Sequence, residues 1–304
     1  MSINLSAIQS LLLPGLREIT GKYDQIERQY DKVFEKFDSK LAFERTVEMR
    51  YLGPAQLKAE GGQTAMDNGA GQRYTYNQEH SEIALGYSMT RKAIDDNVYK
   101  TDFHPSNMGL MESFNQTKEI FGANILNNAL TYNTQVGGDG VALCSTAHPS
   151  DYGNLANTFT TQADLNEATL LNAMVQIPYT FRDQAGLKIF ARARKLVIPR
   201  PLEPVAIRLT KTELRPGTAD NDVNAIMTTA GGLPEGYVVM DFLSSQYAWF
   251  IKTDKKGLNY MERVPFETSM QADFTTDTLM VKGYERYSFG YSNWRAIFGS
   301  FPTS

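Results

Sequence analysis

Apolar and polar positions along the chain change their period several times, and each change marks a different element. Over residues 24–42, Ile26, Tyr30, Val33, Phe37 and Leu41 recur at spacings of three and four, which predicts a helix. Arg28, Lys32, Lys36 and Lys40 form a basic stripe on it, and Glu27, Asp31 and Glu35 an acidic one, as on a solvated face laced with ion pairs. Residues 46–89 alternate instead. Val47, Met49 and Tyr51, then Ile83, Leu85, Tyr87 and Met89, with Tyr74 and Tyr76 between, predict a long β-hairpin. Its tip carries Gly53, Gly61, Gly62, Gly69 and Gly71, with Asn68-Gly69 as a turn dipeptide.

Beyond the hairpin, Met111, Phe114, Phe121, Ile125 and Ala129 place a helix near 106–131, with Gly137 and Gly138 as a stop. A further helix fits 162–177, where Thr161 and Asp164 offer a capping box. A strand at 195–198, a helix near 202–211 and a loop through 216–224 follow. The last third is β-rich: segments 249–252 and 258–262 flank the turn 254–257 as a hairpin, and Leu279, Val281, Tyr287, Phe289 and Tyr291 give a long final strand. On that strand Lys282 and Arg286 lie opposite the apolar face, while Glu285 interrupts it. A buried Glu285 needs a partner, so an ion pair to an Arg or Lys is expected, within the chain or across subunits. Glu285 and Arg286 are thus the candidates for a structural ion pair.

The 304 residues suffice for one to two domains, and 42% hydrophobic content allows a real core. A net charge of −4 argues against a nucleic-acid reader but not against a protein that encloses nucleic acid. A single cysteine, Cys144, rules out a disulfide framework within the chain. The run Leu11-Leu12-Leu13 is too short for a signal core, and no apolar run reaches the ~18 residues of a membrane span.

Catalytic motifs are weak. Cys144 and His148 are four apart in a loop, with no protease signature around them and no orienting third group in the sequence, so both are expected to be structural. His80, His104 and His148 are far apart and sit in no metal motif. Asp220, Asp222 and Asn224 open like a calcium loop, but Ala225 replaces the required glycine and Gly231 the closing glutamate. The clusters 137–140 and 231–232 lack phosphate-loop and dinucleotide spacing. No catalytic residue, metal ligand or cofactor site is expected.

Several segments resemble the major capsid proteins of tailed bacteriophages, above all the Mu-like head-subunit group. They are 284–295 (YERYSFGYSNWR), 143–149 (LCSTAHP), 89–97 (MTRKAIDDN), 195–199, 221–225 (NDVNA) and 247–250 (YAWF). The resemblance covers residues 45 to 300, and it lies in the order and spacing of these segments.

The resemblance implies an α+β chain with the Hong Kong ninety-seven capsid fold. Its parts would be an N-terminal arm (1–45), an extended hairpin or E-loop (46–89), a discontinuous peripheral domain with a long spine helix (90–150 and 246–292), and an axial domain (151–245 and 293–304). It further implies a non-enzymatic shell protein whose hexamers and pentamers tile an icosahedral capsid around double-stranded DNA, without sequence-specific binding. The expected partners are other copies of the chain, a portal protein, a separate scaffolding protein and a cement or decoration protein, with no membrane. Assembly would take place in the host bacterial cytoplasm. The alternative within the same fold is an encapsulin-like cellular compartment. Tyr51, Leu52, Leu57, Lys58 and Met66 in the hairpin tip are the expected intersubunit contacts. Lys58 is the one tip lysine, and no adjacent acid marks it for the covalent cross-link that some relatives form.

Overall fold

The computed structural model describes residues 21, 23, 26–95, 99–212, 224, 226, 232–273 and 275–303. In chain order the strands are β1 Glu35–Asp38, β2 Phe43–Arg50, β3 Gly71–Glu79, β4 Ser81–Thr90, β5 His148–Ser150, β6 Gly153–Leu155, β7 Ala193–Ile198, β8 Tyr237–Val239, β9 Trp249–Thr253, β10 Leu258–Asp273, β11 Thr278–Tyr291 and β12 Ile297–Ser300. The helices are α1 Arg91–Asp95, α2 Tyr99–Asn127, α3 Glu167–Thr180 and α4 Glu203–Lys211.

Two four-stranded sheets organise the described residues. The first runs β1-β10-β11-β4, and the second β12-β9-β7-β8. In the first, the antiparallel β10–β11 ribbon shifts register between Glu262 and Glu267. Pro265 sits at that shift, where a residue without an N–H is tolerated. Leu279, Val281, Gly283, Glu285 and Tyr287 of β11 are buried, as strand alternation requires, and α2 covers that face. A Cβ on Gly283 would stand 2.8 Å from both Phe114 and Phe266, so only glycine lets helix and sheet approach this closely. The second sheet buries Leu196, Val197, Ile198, Trp249, Phe250, Ile251, Ile297 and Phe298, with the parallel pair β7–β8 joined through α4.

Several elements differ from the sequence expectation. Among the described residues of 24–42 a 3-10 turn, Tyr30–Lys32, leads into β1, which pairs in parallel with β10. The adjacent side chains of Val33 and Phe34 are both buried, while Phe37 and Leu41 of the expected apolar stripe are exposed. The free edge of β10 supplies backbone partners that local periodicity cannot reveal. The helix expected at 162–177 begins at Glu167, because Asn166 caps it: Thr169 N–H donates to Asn166 Oδ1 at 2.9 Å, and Asn166 N–H to Thr169 Oγ1 at 3.1 Å. The helix near 106–131 starts at Tyr99 and ends at Asn127; Phe121 is exposed, and Lys118 and Glu119 are buried instead.

The hairpin expected across 254–257 is a crossover, since β9 lies in the second sheet and β10 in the first. Sheet membership therefore changes at that link. The long hairpin is narrower than 46–89. Its strands are β2 and β3, whereas β4 returns to the body and pairs with β11. Most of the 216–224 loop, with Asp220, Asp222 and Gly231, lies outside the described residues, as do residues 1–20 of the arm.

Candidate assembly surface: an anchored hairpin with an exposed tip

The β2–β3 hairpin is a two-stranded sheet of its own, and such a pair is marginal in water without a further packing surface. The body supplies one at the root. Asn77 N–H donates to Val136 O at 2.7 Å, and Gly138 N–H to Thr75 O at 2.8 Å, so the 136–138 loop extends the ladder. Gly138 has φ +88°, and a Cβ there would meet the Tyr76 ring at 2.3 Å, so the position requires glycine.

Charges fasten the same strands. Glu48 Oε1 accepts from Arg295 Nη1 at 2.7 Å and from Gln184 Nε2 at 2.9 Å. Arg295 is buried, and its Nε donates to Arg182 O at 2.7 Å. Its guanidinium lies over the Trp294 ring, which stacks on His148 at 4.1 Å. Further out, Asp151 accepts from Arg50 Nε and Arg73 Nη1, both at 2.5 Å. Asp67 accepts from the N–H of Gly53 (2.7 Å), the N–H of Gly69 (2.8 Å) and Arg50 Nη1. The arginine hydrogen bonds hold the Asp151 carboxyl below its ordinary range, and the two glycine N–H groups, with Arg50, do the same for Asp67. Arg50 thus bridges the neck of the loop to the body.

Beyond this neck the tip has no core. Tyr51, Leu52, Leu57, Lys58 and Met66 are all exposed, Leu57 completely and Met66 at 82%. The structure places all five on the same projecting loop, away from both sheets' cores.

One histidine marks the elbow. His80 is the single residue between β3 and β4, and it is buried. Ser39 Oγ donates to Glu44 Oε1 at 2.5 Å, so it accepts from His80 Nε2 at 3.0 Å; Nδ1 then accepts from Ser288 Oγ at 2.9 Å. Both roots of the hairpin, at 39 and 80, are thereby tied to β11. Burial holds the imidazole below its ordinary pKa.

The arm and α2 meet over a buried charge cluster. Lys118 Nζ lies 2.6 Å from Glu285 Oε2. Tyr23 Oη donates to the same oxygen at 3.4 Å, and the N–H groups of Gln29 and Tyr30 donate to Glu119. Glu285 therefore pairs within the chain and with a lysine of α2, while Arg286 reaches Glu82 at 3.8 Å.

The Cys144–His148 region has a feature its sequence did not show. His148 Nδ1 lies 2.6 Å from Asp139 Oδ2, an orienting carboxylate nine residues upstream. Its Nε2 lies 3.1 Å from Asn157 Oδ1, whose Nδ2 donates to three backbone carbonyls and so fixes the amide's orientation. Both ring nitrogens are engaged by these two side chains rather than by the Cys144 thiol. Cys144 itself is buried, and burial pushes its thiol pKa well up. Among the described residues no cluster of three or more His, Cys, Asp or Glu is arranged to hold a metal, and no helix is long and apolar enough to cross a membrane.

A hinge histidine and a buried lysine opposite Glu285 escaped the sequence reading. Lys118 stands four residues after Phe114 on the helix's apolar side, and that position is the one local clue to its burial.

Comparison with solved structures finds similar architectures. A chain of Microbacterium phage Oxtober96 aligns at TM-score 0.54 and 11% identity, covering 91% of this chain and 92% of that one. The procapsid of bacteriophage JBD30 aligns at 0.52 and 14%, covering 99% and 77%. The virus-like particle from Pyrococcus furiosus aligns at 0.55 and 9%, covering 94% and 98%. At these identities the likeness shows the fold, which is the Hong Kong ninety-seven capsid fold. A search of curated protein sequences finds no match. A family profile described as phage capsid protein matches residues 80–299, more than two thirds of the 304 residues. The narrower Mu-like grouping rests on the sequence resemblance alone, but the match over α2 and most of both sheets is sufficient for the broader statement: the chain belongs to the phage capsid protein family.

Proposed function

We propose that this chain is the major head subunit of a tailed phage, whose copies form hexamers and pentamers that close an icosahedral shell around double-stranded DNA. The observation that carries this is the hairpin: its root is fixed by the Glu48–Arg295 and Arg50–Asp151 pairs, while its tip offers apolar side chains that its own body does not cover. A rigid root with an uncovered tip is suited to binding a neighbouring copy, because little order has to be created on contact. Closed arrays multiply such contacts, so no single one need be tight. In this reading the β1-β10-β11-β4 sheet with α2 forms the peripheral part, and the second sheet with α3 and α4 the axial part.

A net charge of −4 suits a wall that should not adsorb the DNA it encloses. The role is structural, with Cys144 and His148 as packing elements. A portal, a separate scaffold and a decoration protein are further partners of this reading, and the host cytoplasm is its site of assembly. An encapsulin-like shell is the alternative, and the family match over 80–299 favours the phage.

Size-exclusion chromatography and negative-stain microscopy of the purified protein test the proposal. Shells or capsomer rings are expected, with nuclease-protected DNA in native particles. A protein that stays monomeric at all concentrations contradicts it. Shells that hold a cargo enzyme and no DNA favour the cellular alternative.

A further inference from the structure

The exposed hairpin tip is one of several uncovered apolar regions among the described residues. Its most exposed counterpart outside the tip lies on α3 and the strap that follows it. Val175 and Tyr179, one helical turn apart, are 67% and 69% exposed, and Phe190 is 85% exposed. Tyr152 and Leu187 continue the patch, since a Cβ built on Gly186 would lie 3.2 Å from Tyr152 Cβ.

These side chains are not on a loose loop. Asp183 N–H donates to Leu187 O, Leu187 N–H to Asp183 Oδ1, Arg182 Nη1 to Gly186 O, and Ile189 N–H to Phe181 O, all within 3.0 Å. Phe181 beneath the strap is fully buried. Cations hold two of the rings: Lys188 Nζ is 4.9 Å from the Tyr179 ring centre, and the Arg182 guanidinium 4.2 Å from that of Tyr152. The three aromatic rings present on the order of 400 Å². That is about half of the ~800 Å² each partner contributes to a standard interface. Rigid, exposed aromatic anchors of this kind are what interfaces use as hot spots.

We infer that the Tyr152–Val175–Tyr179–Phe190 face is covered by a second copy of this chain, as one half of a repeating subunit contact. This rests on the shell reading above. Two features select a second copy as the occupant. The patch is continuous with the assembly surface, because Tyr152 adjoins Asp151, which anchors the hairpin neck. A ring also requires a heterologous contact, in which one face of each copy meets a different face of the next, and the hairpin tip and the α3 face are separate apolar surfaces.

Cysteine accessibility tests the inference. The native thiol, Cys144, is buried, so Phe190→Cys and, separately, Val175→Cys each introduce a single reactive thiol. Maleimide labelling is compared between unassembled subunits and purified shells. The expected result is labelling at least tenfold slower in shells at both positions. Equal rates in subunits and shells overturn the inference while leaving the shell reading intact. Failure of the wild-type chain to form any shell or capsomer defeats the shell reading itself. A second measurement covers variants that do not assemble. Phe190→Asp and Tyr179→Asp should keep the wild-type melting transition and lose shells and rings; normal shells from both would also overturn the inference.

Discussion

Replacing Lys118 with Met, a change that keeps an unbranched apolar stem, should destabilise the unassembled subunit by about 3–5 kcal/mol. Lys118 and Glu285 are 1% and 0% exposed and 2.6 Å apart. At an effective dielectric constant of about 20, their attraction is roughly 6 kcal/mol, which desolvation of several kcal/mol per ion largely offsets. The intact pair is therefore close to neutral for stability. Removing the lysine removes the attraction but keeps the cost of burying Glu285, which retains the long hydrogen bond from Tyr23 and the weaker attraction of Arg28. Burial pushes the Glu285 carboxyl up and the Lys118 ammonium down, so each group depends on the other for its charge. Removing both charges with Lys118→Met/Glu285→Leu should recover most of the loss, to within about 1 kcal/mol of wild type. Urea unfolding followed by tryptophan fluorescence measures these two variants and the single Glu285→Leu. A single-variant loss under about 1 kcal/mol, or a double variant that costs as much as the sum of the singles, would refute the reasoning.

Other consequences concern separate sites. His80 is held below its ordinary pKa, so the folded state resists protonation. The stability it contributes is fully present above about pH 6.5 and is lost as pH falls through the depressed folded value. His80→Gln should flatten the pH dependence of melting below about pH 6.5, and an unchanged profile would remove His80 as its source. Cys144 should resist maleimide in the native subunit and react on unfolding; rapid native labelling would contradict its burial. Lys58 should form no covalent link, so mature particles should give one band at 34.1 kDa on a denaturing gel rather than a ladder of multimers.

What the sequence could reveal depended on whether the deciding contact was local. Strand alternation placed β11 and marked Glu285 as a buried charge in need of a partner, because alternation alone sets which face a residue occupies. It could not supply the partner. Lys118 is remote in sequence, and a lysine in a helix usually faces water. The stretch 24–42 misled for the same reason: its three-and-four spacing is genuine, yet β1 is set by the distant edge of β10. The Asp254–Gly257 link looked like a hairpin because a turn sequence between two strands says nothing about which sheet each strand joins. The glycine-rich, poorly apolar tip was legible as a segment without a core, since that property is compositional. Its anchorage was not, because Asp151, Arg295 and Val136 meet β2 and β3 only through the tertiary fold.

The most direct test of the account replaces residues 56–70 with a short turn and measures melting and shell formation on the same preparation. The segment contributes almost nothing to either sheet's core, and shortening a surface loop changes its closure entropy by only about 0.6 kcal/mol per halving of length. The account predicts an unassembled subunit that melts close to wild type and forms no closed shells. Normal shells from the shortened chain would contradict the assignment of the hairpin tip as the element that joins one copy to the next.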